Sequence, residues 1–138
     1  MRRLVSLLIV IVLFSSLAVS SEQSGGGQTG GAPKGKTQRV RFARGRTTAV
    51  LHGSVVRGTQ DSYILGARAG QTMIVHITSR EKNAVFAILG PDATALQGAE
   101  EGTDATDWTG SLPLNGDYSV WIGPTRGNAT YTLEVTIR

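Results

Sequence analysis

Few residues in this sequence belong to the types that make or break bonds. There is no cysteine, which excludes a thiol nucleophile, a thiolate metal centre and a disulfide framework. The two histidines, His52 and His76, sit at alternate positions to apolar neighbours, so both face away from a core. Neither has an acidic residue at metal-ligand spacing. Ser54 or Ser62, with His76 and Asp61, supplies the residue types of a hydrolase triad. No nucleophile-elbow sequence surrounds either serine, however. These residues are those of a non-catalytic protein with no cofactor.

Three groups of residues suit binding instead. Asp92, Glu100, Glu101, Asp104 and Asp107 form an acidic stretch, within which Asp104 and Asp107 are candidate calcium ligands. Their spacing matches no EF-hand loop, so a solvated acidic segment is the expectation. Trp121 lies one residue out of step with Tyr118, Val120 and Ile122 only in facing the other way, and an outward tryptophan can anchor a protein or a carbohydrate. Lys34, Lys36, Arg39, Arg41, Arg44 and Arg46 place six positive charges within 13 residues. The whole chain carries a formal +4, yet residues 47–138 hold six basic against nine acidic residues, a local −3. The basic character therefore belongs to the start of the domain, where it suits an acidic protein or an anionic envelope polymer. Few aromatics and no binding motif argue against nucleic acid.

These side chains are carried on extended segments. From Gln38 onward the apolar residues recur with period two. Val40 and Phe42 begin the series; Ala49 to Val55, Tyr63 and Leu65, and Met73 to Ile77 continue it. Trp108 to Leu112, Tyr118 to Ile122 and Tyr131 to Ile137 complete it, and Ala84–Leu89 is apolar on both sides. Glycine-containing turn signals such as Arg57-Gly58, Ala69-Gly70 and Asn115-Gly116 separate the runs. Eight short strands spaced in this way predict an all-β domain, an antiparallel sandwich or small barrel, with each strand burying one face. Asp92–Asp107 has no pattern and reads as a long surface loop. Asn115-Gly116 reads as a tight hairpin.

The rest of the chain directs export. Arg2 and Arg3 precede an apolar run from Leu4, and Ala18 and Ser20 suit cleavage before Ser21. Leu4–Val19 is 16 residues, short of the roughly 20 that span a bilayer. Residues 1–20 are thus expected to be a signal peptide, and membrane contact is expected only through it. Residues 21–37 are expected to be a disordered Gly-rich linker and 38–138 one domain. The expected location is periplasmic or secreted.

Asp61-Ser62-Tyr63-Ile64-Leu65, followed by Ala69-Gly70-Gln71-Thr72-Met73-Ile74-Val75, resembles the core of bacterial pre-peptidase C-terminal domains. Leu112-Pro113-Leu114-Asn115-Gly116-Asp117-Tyr118-Ser119-Val120 is similar to that family's penultimate hairpin. Arg39-Val40-Arg41-Phe42-Ala43-Arg44-Gly45 and Trp108-Thr109-Gly110-Ser111-Leu112-Pro113 resemble a subset, the periplasmic inhibitors of goose-type lysozyme. The resemblance implies a single jelly-roll-like antiparallel β-sandwich that binds a protein, with lysozyme the sharpest candidate, or else an envelope glycan. The inhibitors' Ser-Gly-x-x-Tyr motif is not present as such: Thr109-Gly110-Ser111-Leu112-Pro113 departs from it at both ends. The candidate contact residues are Trp121, Thr109, Ser111, Arg126, Arg39 and Arg41.

Overall fold

In the computed structural model the described residues are 35–138, and they contain eight strands and no helix. The expected signal peptide and residues 21–34 of the expected linker lie outside the described residues. The strands are β1 (Thr37–Arg39), β2 (Thr48–Val55), β3 (Asp61–Ala67), β4 (Thr72–Ser79), β5 (Ala84–Leu89), β6 (Asp107–Ser111), β7 (Gly116–Pro124) and β8 (Ala129–Ile137). Odd-numbered strands build one sheet, in the order β1-β3-β7-β5, and even-numbered strands the other, β2-β8-β4-β6. The domain is an all-β sandwich.

Every connection therefore passes from one sheet to the other, and no consecutive strands pair. This corrects the hairpin expected at Asn115-Gly116. Gly116 does hold a positive φ of 137°, but it turns the chain between sheets, against Pro91. The Asn115 side-chain oxygen accepts the Ala69 N–H at 2.8 Å, tying two connections together. The antiparallel expectation needs one exception, because β1 runs parallel to β3. Thr37 is already paired with Ser62, and the Lys36 N–H donates to Asp61 at 3.0 Å, so both precede the expected boundary at 38.

Alternation puts one face of each strand into the space between the sheets. Tyr63 and Leu65 from β3, and Tyr118, Val120 and Ile122 from β7, meet Met73, Val75 and Ile77 from β4 and Leu133 and Val135 from β8; all are buried. The Tyr118 hydroxyl reaches back to donate to the Leu114 carbonyl at 2.7 Å and accept the Leu114 N–H at 3.0 Å. β5 is one edge of its sheet, and an uncovered edge invites pairing with another chain. Here residues 90–106 lie along it. Phe86 N–H donates to the Ala105 carbonyl, Ile88 N–H to Ala99, and Leu96 N–H back to Ile88, each at 2.9 Å. Leu96, Ala99 and Ala105 are buried there. The stretch expected to be a plain surface loop is thus a strand-edge cover, and irregular spacing of its few apolar residues hid that role.

One end of the core is polar. Asp61, 2% exposed, accepts from the Tyr131 hydroxyl at 2.6 Å and from the Lys36 N–H. Tyr131 spends its proton on Asp61, so the Tyr63 hydroxyl, 2.7 Å away, donates to Tyr131. The two rings meet edge to face with centroids 6.4 Å apart. Gly53, opposite Tyr131 on β2, supplies the room. A Cβ there would lie 2.3 Å from the Tyr131 oxygen. Gly53→Ala is expected to cost about 1–3 kcal/mol by displacing this buried ring. A urea midpoint equal to that of the wild type would contradict the close approach.

Candidate functional site

The six contact residues expected from sequence do not share one surface. Arg39 and Trp121 lie on the outer face of the odd-numbered sheet. There Arg39 pairs with Asp117 across Gly66, which has no side chain to obstruct them. Arg39 is thereby engaged within the domain. Thr109 and Ser111 are exposed on β6 at an edge of the even-numbered sheet, opposite Ile74 and Thr72. Arg41 is exposed just past β1, towards the end of the sandwich where β3 finishes. Arg126 is at the opposite end, in the connection from β7 to β8.

The residues weighed for chemistry are likewise scattered. Asp107 pairs with His76, its register partner, while Asp104 is exposed in a turn at φ 55°. Among the described residues no three His, Cys, Asp or Glu side chains come together as a metal-binding group. His52 on β2 and His76 on β4 are separated by β8, opposite Thr132 and Glu134 respectively. Ser62 lies on the outer face of one sheet, His76 on that of the other, and Asp61 between them in the core.

Three connections converge at the end that carries Arg126: residues 56–60, 80–83 and 125–128. Asn83 joins them. It is 2% exposed, and its amide donates to the Arg126 carbonyl at 3.0 Å and the Asn128 carbonyl at 2.9 Å. Its own carbonyl accepts the Thr125 N–H at 2.8 Å. The Asn128 side chain then accepts the Arg57 N–H at 2.9 Å, and the Arg126 guanidinium donates to the Glu81 carbonyl at 2.7 Å. Ser79 Oγ accepts the N–H groups of Asn83 and Ala84, closing the turn in which Lys82 is held at φ 51°. A non-glycine residue in that region costs about 1 kcal/mol or more, which the surrounding bonds must offset. The result is a fixed end that carries Arg57, Arg80, Lys82 and Arg126, with the carboxylates of Glu81 and, bonded to Gln60, Glu101 beside them. Val56 is 57% exposed on the same end. Of these four basic residues the sequence pointed to Arg126 alone, and not to Arg57, Arg80 or Lys82. The four are spread over 70 positions of a net-negative region, so only the topology gathers them.

A second feature lies on the outer face of the odd-numbered sheet. Trp121 is partly buried between its register partners Ser62 and Ala87, and it forms part of an open groove of about 730 Å3. Gln60 and Glu101 line the same groove, joined by a hydrogen bond from the Gln60 amide at 3.2 Å.

The chain is similar to several solved structures. A periplasmic lysozyme inhibitor of g-type lysozyme, PliG of Aeromonas hydrophila, is 32% identical with a TM-score of 0.65, over 75% of this chain and 96% of that one. The Salmonella Typhimurium PliG, also a periplasmic inhibitor of g-type lysozyme, is 25% identical with a TM-score of 0.60, over 75% and 99%. The pre-peptidase C-terminal domain of a Bacillus anthracis collagenase is 14% identical with a TM-score of 0.54, over 78% and 99%, a likeness of fold alone. No protein-family model matches the chain, and no curated protein sequence does.

Proposed function

We propose, from the premise that this chain belongs to the family of periplasmic inhibitors of g-type lysozyme, that it is an exported, non-catalytic protein that binds such a lysozyme and obstructs its sugar cleft. The observation that carries this reading is 32% identity across 96% of the Aeromonas hydrophila inhibitor. The expected signal peptide is consistent with a periplasmic location.

The inhibitory surface in this reading is the end formed by residues 56–60, 80–83 and 125–128. Glycoside hydrolases work with paired carboxyl groups beside the scissile bond, so their clefts attract cations. Arg57, Arg80, Lys82 and Arg126 supply the complementary charge, which favours encounter and orientation. Exposed Val56 supplies apolar contact. The bonds through Asn83 and Asn128 fix the three connections beforehand, so little conformational freedom is lost on docking.

Residues 21–138, titrated against g-type and chicken-type lysozymes in a cell-wall lysis assay, test the reading. Inhibition is expected with the g-type enzyme. Arg126→Ala is expected to weaken it at least about tenfold, since buried interface arginines are frequent hot spots. Its unfolding midpoint should stay close to that of the wild type. Absence of inhibition at micromolar protein would overturn the reading, and undiminished inhibition by Arg126→Ala would move the surface elsewhere.

A further inference from the structure

From the groove over Trp121 we infer a second binding site, a subsite for a neutral β-linked N-acetylhexosamine glycan, which adjoins the cationic end that meets the lysozyme through Gly58, Thr59 and Gln60. The groove combines the two things a sugar ring needs. Its floor is an indole whose neighbours are small: Ser62 and Ala87 are its cross-strand partners, and Gly123 follows it by two residues on β7. The partly buried ring lines the groove beside these small residues, where it can meet the carbon-bound hydrogens of a pyranose. The rim supplies hydrogen-bonding groups: the Ser62 hydroxyl, and the Gln60 amide and Glu101 carboxylate, which hold each other in place at 3.2 Å. A volume of about 730 Å3 falls within the roughly 300–1,000 Å3 of small-ligand sites, enough for a short run of sugar rings.

Charge selects among glycans. Among the described residues the carboxylates that meet a basic side chain are Asp117, with Arg39, and Asp107, with His76, so Glu101 lies in the groove without a cation on it. The Lys36 ammonium is engaged elsewhere, donating to the His52 carbonyl at 3.5 Å and lying 5.3 Å from the Tyr63 ring centroid. An uncompensated carboxylate repels phosphate and uronate but accepts from hydroxyl and acetamido groups. The choice of an amino-sugar polymer rests on the lysozyme reading, because that is the material a lysozyme cuts. A site of this kind would hold the inhibitor on the wall its target attacks.

The test is a titration of 15N-labelled residues 21–138 with chitotetraose, reading the two tryptophan indole N–H signals and, in wild type and variants alike, the backbone N–H signals of Gln60, Ser62 and Gly123 in the groove. A saturable shift of the Trp121 signal is expected, with a submillimolar to millimolar Kd, while Trp108 is unmoved. Trp121→Ala should bind at least tenfold more weakly, and Trp121→Tyr, which keeps a smaller ring, should recover part of the loss. Both variants should inhibit g-type lysozyme as the wild type does. No saturable shift up to about 10 mM sugar, weaker than any useful affinity, would overturn the inference. So would an equal response from Trp121→Ala with its fold retained. Sugar binding without lysozyme inhibition would overturn the lysozyme reading, and inhibition without sugar binding the groove alone.

Discussion

Leu133→Ala is expected to remove about 2–5 kcal/mol of stability, the range for truncating a buried leucine in a packed core. Leu133 is completely buried at the centre of β8, itself an interior strand of the even-numbered sheet. Its register partners are Leu51 on β2 and Ile77 on β4, so the lost methyl groups leave a gap bounded by two strands and the facing sheet. Hydrogen bonds on both sides of β8 hold the backbone in place, and the gap cannot close by local collapse. Since domains of this size are stable by roughly 5–15 kcal/mol, the variant should unfold at markedly lower urea. Ile77→Ala should behave similarly. The double variant should cost less than the sum, because the two side chains share one cavity. Urea midpoints unchanged in both single variants would refute the core assignment.

The inward residues were legible because sheet geometry imposes period two wherever one face is buried, and Tyr131, Leu133, Val135 and Ile137 obey it without interruption. Pairing was not legible. Period two says which face a residue takes but not which strand lies beside it, so Asn115-Gly116 resembled a hairpin while actually joining two sheets. The cover over β5 was missed for a related reason, since Leu96, Ala99 and Ala105 follow the contour of an edge and not a repeat. Asp61 shows the limit most sharply. In the sequence it is one acidic residue before a strand, and only the fold places it beneath Tyr131 and Tyr63. The candidate site divides in the same way. The outward direction of Trp121 follows from alternation within its own strand, whereas the meeting of Arg57, Arg80, Lys82 and Arg126 depends on three connections far apart in sequence. Local periodicity carries no information about that convergence.

Tyr131→Phe is expected to cost about 3 kcal/mol at neutral pH, although it removes a single oxygen. Asp61 would lose its side-chain donor and keep only the Lys36 N–H, and the Tyr63 hydroxyl would lose its acceptor. Both polar groups would be left underpaired in a part of the core closed to water. The same contacts predict a pH signature. Burial first, then hydrogen bonds to Asp61 and Tyr63, raise the Tyr131 phenol far above its ordinary pKa of about 10. The folded protein therefore keeps a proton that the unfolded chain releases as pH passes 10. Proton release by the unfolded state favours unfolding, so this group's stabilisation is complete below pH 10 and declines above it, by about 1.4 kcal/mol per pH unit. Tyr131→Phe has no proton to lose at this position. The stability gap between wild type and variant, measured by urea unfolding, should hold steady from pH 7 to 9 and then close by about 2–3 kcal/mol towards pH 12. A gap that stayed constant to pH 12 would mean that Tyr131 ionises as easily in the folded protein as in water, which its burial against Asp61 forbids.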